Sequence, residues 1–201
     1  EIKKMKRKLL LTLVVISLFS CSSNIDKQKG MGIFDKLFNK KSVNTETKKP
    51  EHNSENLMGS DQFWGIISTT HQNSVGDYEN QQSELENELL KLSAIEIIEF
   101  DNRFRTLRGD VYNWDFWAAA YIINGGCSDD CFSDFRGWLI GQGKSTFENA
   151  VKDIESLTEL TKTNDGDWEG LSYIPMAAYK KKVGNEMPLG VRENFELSGK
   201  E

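Results

Sequence analysis

The chain has 201 residues, with 31 acidic and 25 basic side chains, two histidines and three cysteines. This length fits one domain of ordinary size plus an additional segment. The charge is unevenly divided, because residues 1–57 carry a net charge of +6 and residues 58–201 carry −12. Nucleic-acid affinity comes from basic side chains that neutralise phosphates, so the acidic part argues against a nucleic-acid partner. Two histidines also leave little material for histidine-based zinc sites or catalytic triads.

The first twenty residues have the composition of a secretory signal peptide. From Met5, three basic residues precede an apolar run from Leu9 to Phe19, and Leu18-Phe19-Ser20-Cys21 resembles a bacterial lipobox. The run is shorter than the roughly 20 apolar residues of a membrane-spanning helix. We therefore expect residues 1–20 to be removed and Cys21 to be lipidated, which would anchor the protein to a membrane of the bacterial cell envelope. The alternative is a short buried helix that ends in cysteine.

Residues 21–58 are predicted to be a basic, polar and flexible linker. Within it, residues 31–41 place four apolar side chains on one side of a helix with three lysines beside them. This pattern is typical of a short amphipathic helix on an anionic membrane surface, and it is equally compatible with a plain tether. Met31 is also an alternative translation start. A protein that began there would be cytoplasmic.

Residues 59–188 are predicted to form one all-α domain of six to seven helices, followed by a loose tail at 189–201. A first helix begins at Ser60 and ends before Gly76. Ser93-Ala94-Ile95-Glu96 is a capping-box sequence, and an apolar stripe at helical spacing follows it. No stretch shows the sustained period-two alternation of a strand.

The most apolar segment runs from Tyr112 to Ile123. A helix without a polar face is normally a buried one, so this segment is predicted to be the central helix of the core. Asn124-Gly125-Gly126 should end it, because glycine readily adopts the left-handed conformation of a helix C-terminus. Ser128 should then cap the next helix, whose first turn holds two aspartates.

Two more helices complete the prediction. Ser145-Thr146-Phe147-Glu148 has the sequence of a second capping box and should open a helix that continues through Ile154. The last helix should run from Trp168 to Val183 and stop at Gly184. Pro175 lies inside this pattern, so it either kinks the helix or occupies its first turn.

The sequence from Trp114 to Asp130 is unusual: Trp-Asp-Phe-Trp-Ala-Ala-Ala-Tyr-Ile-Ile-Asn-Gly-Gly-Cys-Ser-Asp-Asp. With Phe63-Trp64, the Phe135–Ile140 segment and Ala177-Ala178-Tyr179, it resembles a bacterial family known as domain of unknown function 4240. The resemblance covers about residues 60–188. It implies no established activity, cofactor or catalytic residue, and the lipobox and linker lie outside it.

The charged and aromatic residues around this segment are the candidate ligand-binding residues. They are Asp115, Asp129, Asp130, Arg136, Trp114 and Trp117. In one interpretation the two loop aspartates only support a helix N-terminus, while Asp115 and Arg136 form a buried ion pair. In another, the four charged side chains converge in a pocket walled by tryptophans, which would hold a small ligand. A hard cation such as Ca²⁺ would suit the carboxylates, but their spacing matches no calcium-loop motif.

Cys127 and Cys131 stand four residues apart, which allows either a disulfide or a pair of buried free thiols. A nucleophilic Cys127 is a third possibility, although no histidine is nearby in sequence. Together these features favour a membrane-anchored lipoprotein whose helical domain binds another protein, without catalysis, metal or cofactor. The acidic charge suggests one version, the inhibition of a basic toxin or nuclease. The alternative is a small-ligand receptor or enzyme with the charged candidates in its site.

Overall fold

The computed structural model of the chain describes residues 54–74, 76–160 and 166–200. Over these ranges the chain forms seven α-helices, two 3-10 helices and no β-strand, which confirms the all-α prediction. The α-helices are α1 (Ser60–Ser74), α2 (Tyr78–Lys91), α3 (Ala94–Asp110), α4 (Trp114–Ile123), α5 (Asp129–Gly141), α6 (Lys144–Lys152) and α7 (Ile174–Val183), and the 3-10 helices are Ile154–Glu159 and Glu169–Tyr173. The predicted signal peptide, Cys21 and the amphipathic segment 31–41 lie outside the described residues. None of the helices in the described ranges is long and apolar enough to cross a membrane.

Side chains that cap backbone amides start several of these helices. Ser93 and Glu96 form the predicted capping box at the start of α3, with both hydrogen bonds present. Ser128 caps α5 as predicted, and Asn113 caps α4 by accepting from the Phe116 amide at 3.1 Å. A cap of this kind satisfies an amide that the helix itself leaves unpaired.

The second predicted capping box, at Ser145, is wrong. Helix α6 already begins at Lys144, and its N-cap is Gly143, at a φ of 94°. This left-handed conformation suits glycine, and it lets the chain turn from α5 into α6 within two residues. Ser145 therefore lies inside the first turn, where its side chain does not cap the helix. The helix ends at Lys152, before Ile154, which starts the first 3-10 helix.

Helix α5 lies at the centre of the core. Its residues from Phe135 to Gly141 are all buried, and the helix contacts α1, α3, α4, α6 and the second 3-10 helix. The predicted central helix, Tyr112 to Ile123, is instead peripheral. In α4 only Phe116 and Ala120 are buried. The prediction failed because an apolar surface all round a short helix does not reveal how many neighbours will cover it.

The last helix is shorter than predicted. The segment from Trp168 starts as the second 3-10 helix and becomes α-helical only at Ile174. Pro175 occupies the first turn of α7, where its missing amide hydrogen costs no internal hydrogen bond. Gly184 ends α7 in the left-handed conformation, as predicted.

The C-terminal strap, residues 189–200, packs against the domain, so the prediction of a loose tail is wrong. Glu193 is buried and forms ion pairs with Arg108 and Arg136. Ser198 forms an isolated parallel bridge with Asn113, next to the start of α4. The strap has no helical periodicity, and its attachment depends on partners far away in the sequence. The local sequence pattern therefore does not predict that the strap packs against the domain.

Candidate functional site

Helix α4 exposes a row of apolar side chains, the α4 ridge, formed by Ala118, Tyr121 and Ile122. The exposed fraction is 59% for Tyr121 and 78% for Ile122. Residues three and four apart lie on the same side of a helix, so these three side chains form one patch on the C-terminal half of α4. Large apolar side chains grouped in water are typical of an interaction surface, whereas single ones are ordinary.

Two grooves flank the ridge. The first groove, of about 420 Å³, lies between α4 and the first 3-10 helix; the second, of about 520 Å³, lies between α4 and the loop that follows it. Both share Asp115, Ala118 and Ile122 as lining residues. The first is otherwise lined by Ala119, Ile123, Ile154, Glu155, Leu157 and Thr158, and the second by Trp114, Trp117, Tyr121, Cys127 and Lys200. Volumes of this size lie within the usual range of ligand-binding pockets.

A stack of aromatic rings forms the wall of the second groove. The rings of Trp114 and Trp117 are 5.7 Å apart and nearly parallel, and Trp117 stacks on buried Phe132 at 4.8 Å. The Trp117 indole also donates a hydrogen bond to the Cys127 carbonyl oxygen. Stacked aromatic pairs stabilise each other beyond their buried area. The wall is thus anchored in the core through Phe132, although its outer rings are only half-buried.

A disulfide closes the loop beneath this groove. Cys127 and Cys131 are bonded, with their Cα atoms 5.2 Å apart. This outcome decides between the disulfide and the free-thiol alternatives left open by the sequence. It also removes the nucleophilic Cys127, because a disulfide sulfur is not a thiolate.

The four charged candidates do not converge. Asp115, Asp129 and Asp130 are exposed on the surface, whereas Arg136 is 2% exposed and lies inside the domain. The predicted ion pair between Asp115 and Arg136 is wrong, since Arg136 pairs with Glu193. Asp129 and Asp130 stand in the first turn of α5, where negative charge is favourable. Among the described residues no group of three or more His, Cys, Asp or Glu side chains could hold a metal ion.

Of the candidates, Trp114, Asp115 and Trp117 are brought together, at the second groove. Other elements complete the grooves with residues that were not predicted from the sequence: Lys200 in the strap, and Ile154 and Glu155 in the first 3-10 helix. The exposed ridge residues Tyr121 and Ile122 were assigned to the core. No local signal distinguishes them from core residues.

One acidic side chain outside the predicted set is strongly perturbed. The pKa of Asp134, on α5, is raised to about 6 by burial and by the nearby negative charges of Asp167 and Glu169. The opposing charge of Arg108 lowers this pKa only in part. Asp134 therefore changes its charge near neutral pH.

Comparison with known proteins identifies a family but no described activity. The sequence model of the family described as Protein of unknown function (DUF4240) matches residues 58–181. The match covers α1 to α6 and both 3-10 helices and extends into α7, so it includes the ridge, Trp114, Trp117 and the disulfide loop. No curated protein matches the chain, and no solved structure matches it.

Proposed function

We propose that this chain, which belongs to the DUF4240 family, is a non-catalytic binding protein whose α4 ridge docks a short amphipathic helix of a partner protein. The observation that carries the proposal is the exposure of Tyr121 and Ile122 between two grooves. A ridge with a groove on each side suits the apolar stripe of a helix, in which side chains three and four residues apart point the same way.

The charges around the ridge suggest the chemistry of this partner. The two carboxylates that line the first groove, Asp115 and Glu155, face no cation among the residues that line that groove. Residues 58–201 as a whole carry a net charge of −12. A partner helix with lysine or arginine beside its apolar stripe is therefore complementary, since opposite charges steer association and favour the correct partner. Lys200 lines the second groove. The side of the partner helix that faces this groove should therefore carry fewer basic residues, because like charges repel.

A titration with designed helical peptides tests this docking mode. One peptide carries leucines at helical spacing flanked by lysines, and the second has the same leucines flanked by glutamates. By calorimetry the full chain should bind the lysine peptide at least about tenfold more tightly than the glutamate peptide.

Substitution of the ridge provides the matched comparison. Ile122→Asp should weaken binding of the lysine peptide by at least about tenfold, because it places a charge in the apolar contact. Val151→Asp is the control, since Val151 is an exposed apolar residue on α6 that lines neither groove. Equal affinities of the two variants, or equal binding of the two peptides, would contradict the proposal.

We also propose that the protein is a lipoprotein of the cell envelope, anchored through Cys21. The support is the basic region, the apolar run and the small residue before Cys21 in the sequence. Mass spectrometry of the mature N-terminus tests it directly. A diacylglycerol-modified Cys21 is the expected result, and an unmodified N-terminus at Met31 would overturn it.

A further inference from the structure

We infer that Arg108 and Arg136 form a carboxylate-binding site, and that the C-terminal strap places Glu193 in it as an internal ligand. The external ligand of this site would be an extended peptide segment that presents a glutamate and competes with the strap. Arg108, Arg136 and Glu193 line neither of the grooves beside the α4 ridge, and their site has a different chemistry.

The two arginines are held in place by the helical domain. Arg136 donates to the carbonyl oxygens of Phe132 at 3.3 Å and Arg108 at 3.1 Å, and its guanidinium stacks on the Tyr112 and Phe132 rings. Arg108 donates to the Ser133 hydroxyl at 2.5 Å. These contacts do not involve the strap. The guanidinium groups would therefore keep their position when the strap leaves, as a preorganised anion site requires.

Glu193 supplies the negative charge that the two buried arginines need. One of its oxygens accepts from Arg136 Nη1, and the other lies 3.3 Å from Arg108 Nη1. A buried cation without a counter-charge is strongly unfavourable, so a carboxylate is the matching group. The nearby buried carboxylate of Asp101 pairs with Arg105 instead, at 2.5 Å. The buried Nε of Arg108 has no hydrogen-bond partner among the described residues, which leaves a donor for a ligand.

The counter-charge comes from outside the family region. Both arginines lie within the matched residues 58–181, whereas Glu193 lies beyond them. The two arginines thus lie in the part of the chain that the family model matches, and the carboxylate that occupies their site lies outside it.

The strap is held mainly by polar contacts. Two of its three largest apolar side chains lie mostly in water, with Leu189 93% and Phe195 67% exposed, and only Leu197 packs against the core. The strap makes further polar contacts in addition to those of Glu193. The Val191 amide donates to Asn102 Oδ1 at 2.8 Å, and backbone hydrogen bonds join Ser198 to Tyr112 and Trp114. A segment with few buried apolar contacts opens at a lower free energy than the core.

The backbone contacts indicate that the competing ligand is a peptide. Asn102 donates to the carbonyl oxygens of Ser54 and Asn56, which orients its amide oxygen toward the strap. At Gly190 an added Cβ would lie 1.9 Å from this oxygen, so the backbone approaches Asn102 closely. The site thus recognises a main-chain amide and a small residue as well as a carboxylate. A simple organic acid would satisfy only the arginines.

The experiment uses synthetic peptides of residues 189–200 with either Glu or Gln at position 193, titrated into full-chain Glu193→Ala. The matched control is Glu196→Ala, because Glu196 is an exposed glutamate of the same strap. Glu193→Ala should bind the Glu peptide at least about tenfold more tightly than the Gln peptide, and about tenfold more tightly than Glu196→Ala binds it. Equal affinity for both peptides would overturn the inference.

A measurement on the unmodified full chain covers the case in which Glu193→Ala fails to fold. Hydrogen exchange at the Val191 and Ser198 amides should become faster at saturating Glu peptide, because the peptide displaces the strap. The Gln peptide should leave the exchange rates unchanged. If saturating Glu peptide also leaves both amides unchanged, the strap is not exchangeable and the inference fails.

Discussion

The indole nitrogen of Trp117 donates a hydrogen bond to the carbonyl oxygen of Cys127 at 3.1 Å. This bond joins α4 to the loop that the Cys127–Cys131 disulfide closes. Both residues line the second groove, so the shape of this groove depends on the loop. The disulfide therefore supports the candidate binding surface as well as the stability of the domain.

Reduction of the disulfide should lower the free energy of unfolding by about 2 kcal/mol, the chain-entropy value for a closed loop of about five residues. Urea unfolding with and without reductant measures the difference. The control is Cys127→Ser/Cys131→Ser, which should show no effect of reductant. Equal stability of the reduced and oxidised protein would contradict this prediction.

Two serines at helix starts should respond differently to alanine. Ser93→Ala should cost about 1 kcal/mol, because it removes the hydroxyl that accepts from the Glu96 amide at the start of α3. Ser145→Ala should change stability by less than about 0.5 kcal/mol, because Ser145 is exposed inside α6 and caps nothing. Denaturant unfolding of both variants gives the comparison. A larger loss for Ser145→Ala would favour the capping box predicted from sequence.

The two faces of α4 should differ sharply in their contribution to stability. Phe116→Ala should destabilise the domain by about 3–5 kcal/mol, because Phe116 is buried and its removal leaves a cavity. Ile122→Ser should stay within about 0.5 kcal/mol, because Ile122 is mostly in water. Thermal unfolding of both variants checks this. A strong destabilisation by Ile122→Ser would mean that α4 is a core helix.

Stability should depend on pH through Asp134, whose pKa is raised to about 6 in the folded domain. Between about pH 4 and pH 6 the folded state binds more protons at this group than the unfolded state. The free energy of unfolding therefore falls as pH rises through this range, and the loss is complete above pH 6. Asp134→Asn removes the loss and should be more stable than the unmodified protein at pH 7–8, by about 1 kcal/mol or less after solvent screening.

The control for this pH dependence is Asp129→Asn. Asp129 is an exposed carboxylate in the first turn of α5, where its charge is favourable to the helix, so its removal should not stabilise the domain. Unfolding curves of all three proteins at pH 4 and pH 7.5 give the result. A stability difference between Asp134→Asn and the unmodified protein that is the same at both pH values would refute the assignment.

The all-α class, the Ser93 capping box and the Ser128 cap were predictable from the sequence, whereas the place of Pro175 stayed open between a kink and a first turn. Each of these depends on residues within about four positions of one another, so the local sequence contains the whole interaction. Trp114, Asp115 and Trp117 were selected for the same reason, since they stand on one short helix segment. The residues that complete their groove come from the strap and from a 3-10 helix, and no local pattern links them to α4.

The tertiary structure alone decided which apolar helix is buried and which charge neutralises Arg136. The apolar residues between Tyr112 and Ile123 give the same sequence pattern in two cases: when neighbouring helices enclose them all, and when Tyr121 and Ile122 are left in water. Arg136 and Glu193 are 57 residues apart, and their pairing depends on where the chain end returns to the domain. Helix formation is set by short-range geometry, whereas burial and ion pairing are set by how the finished helices enclose one another.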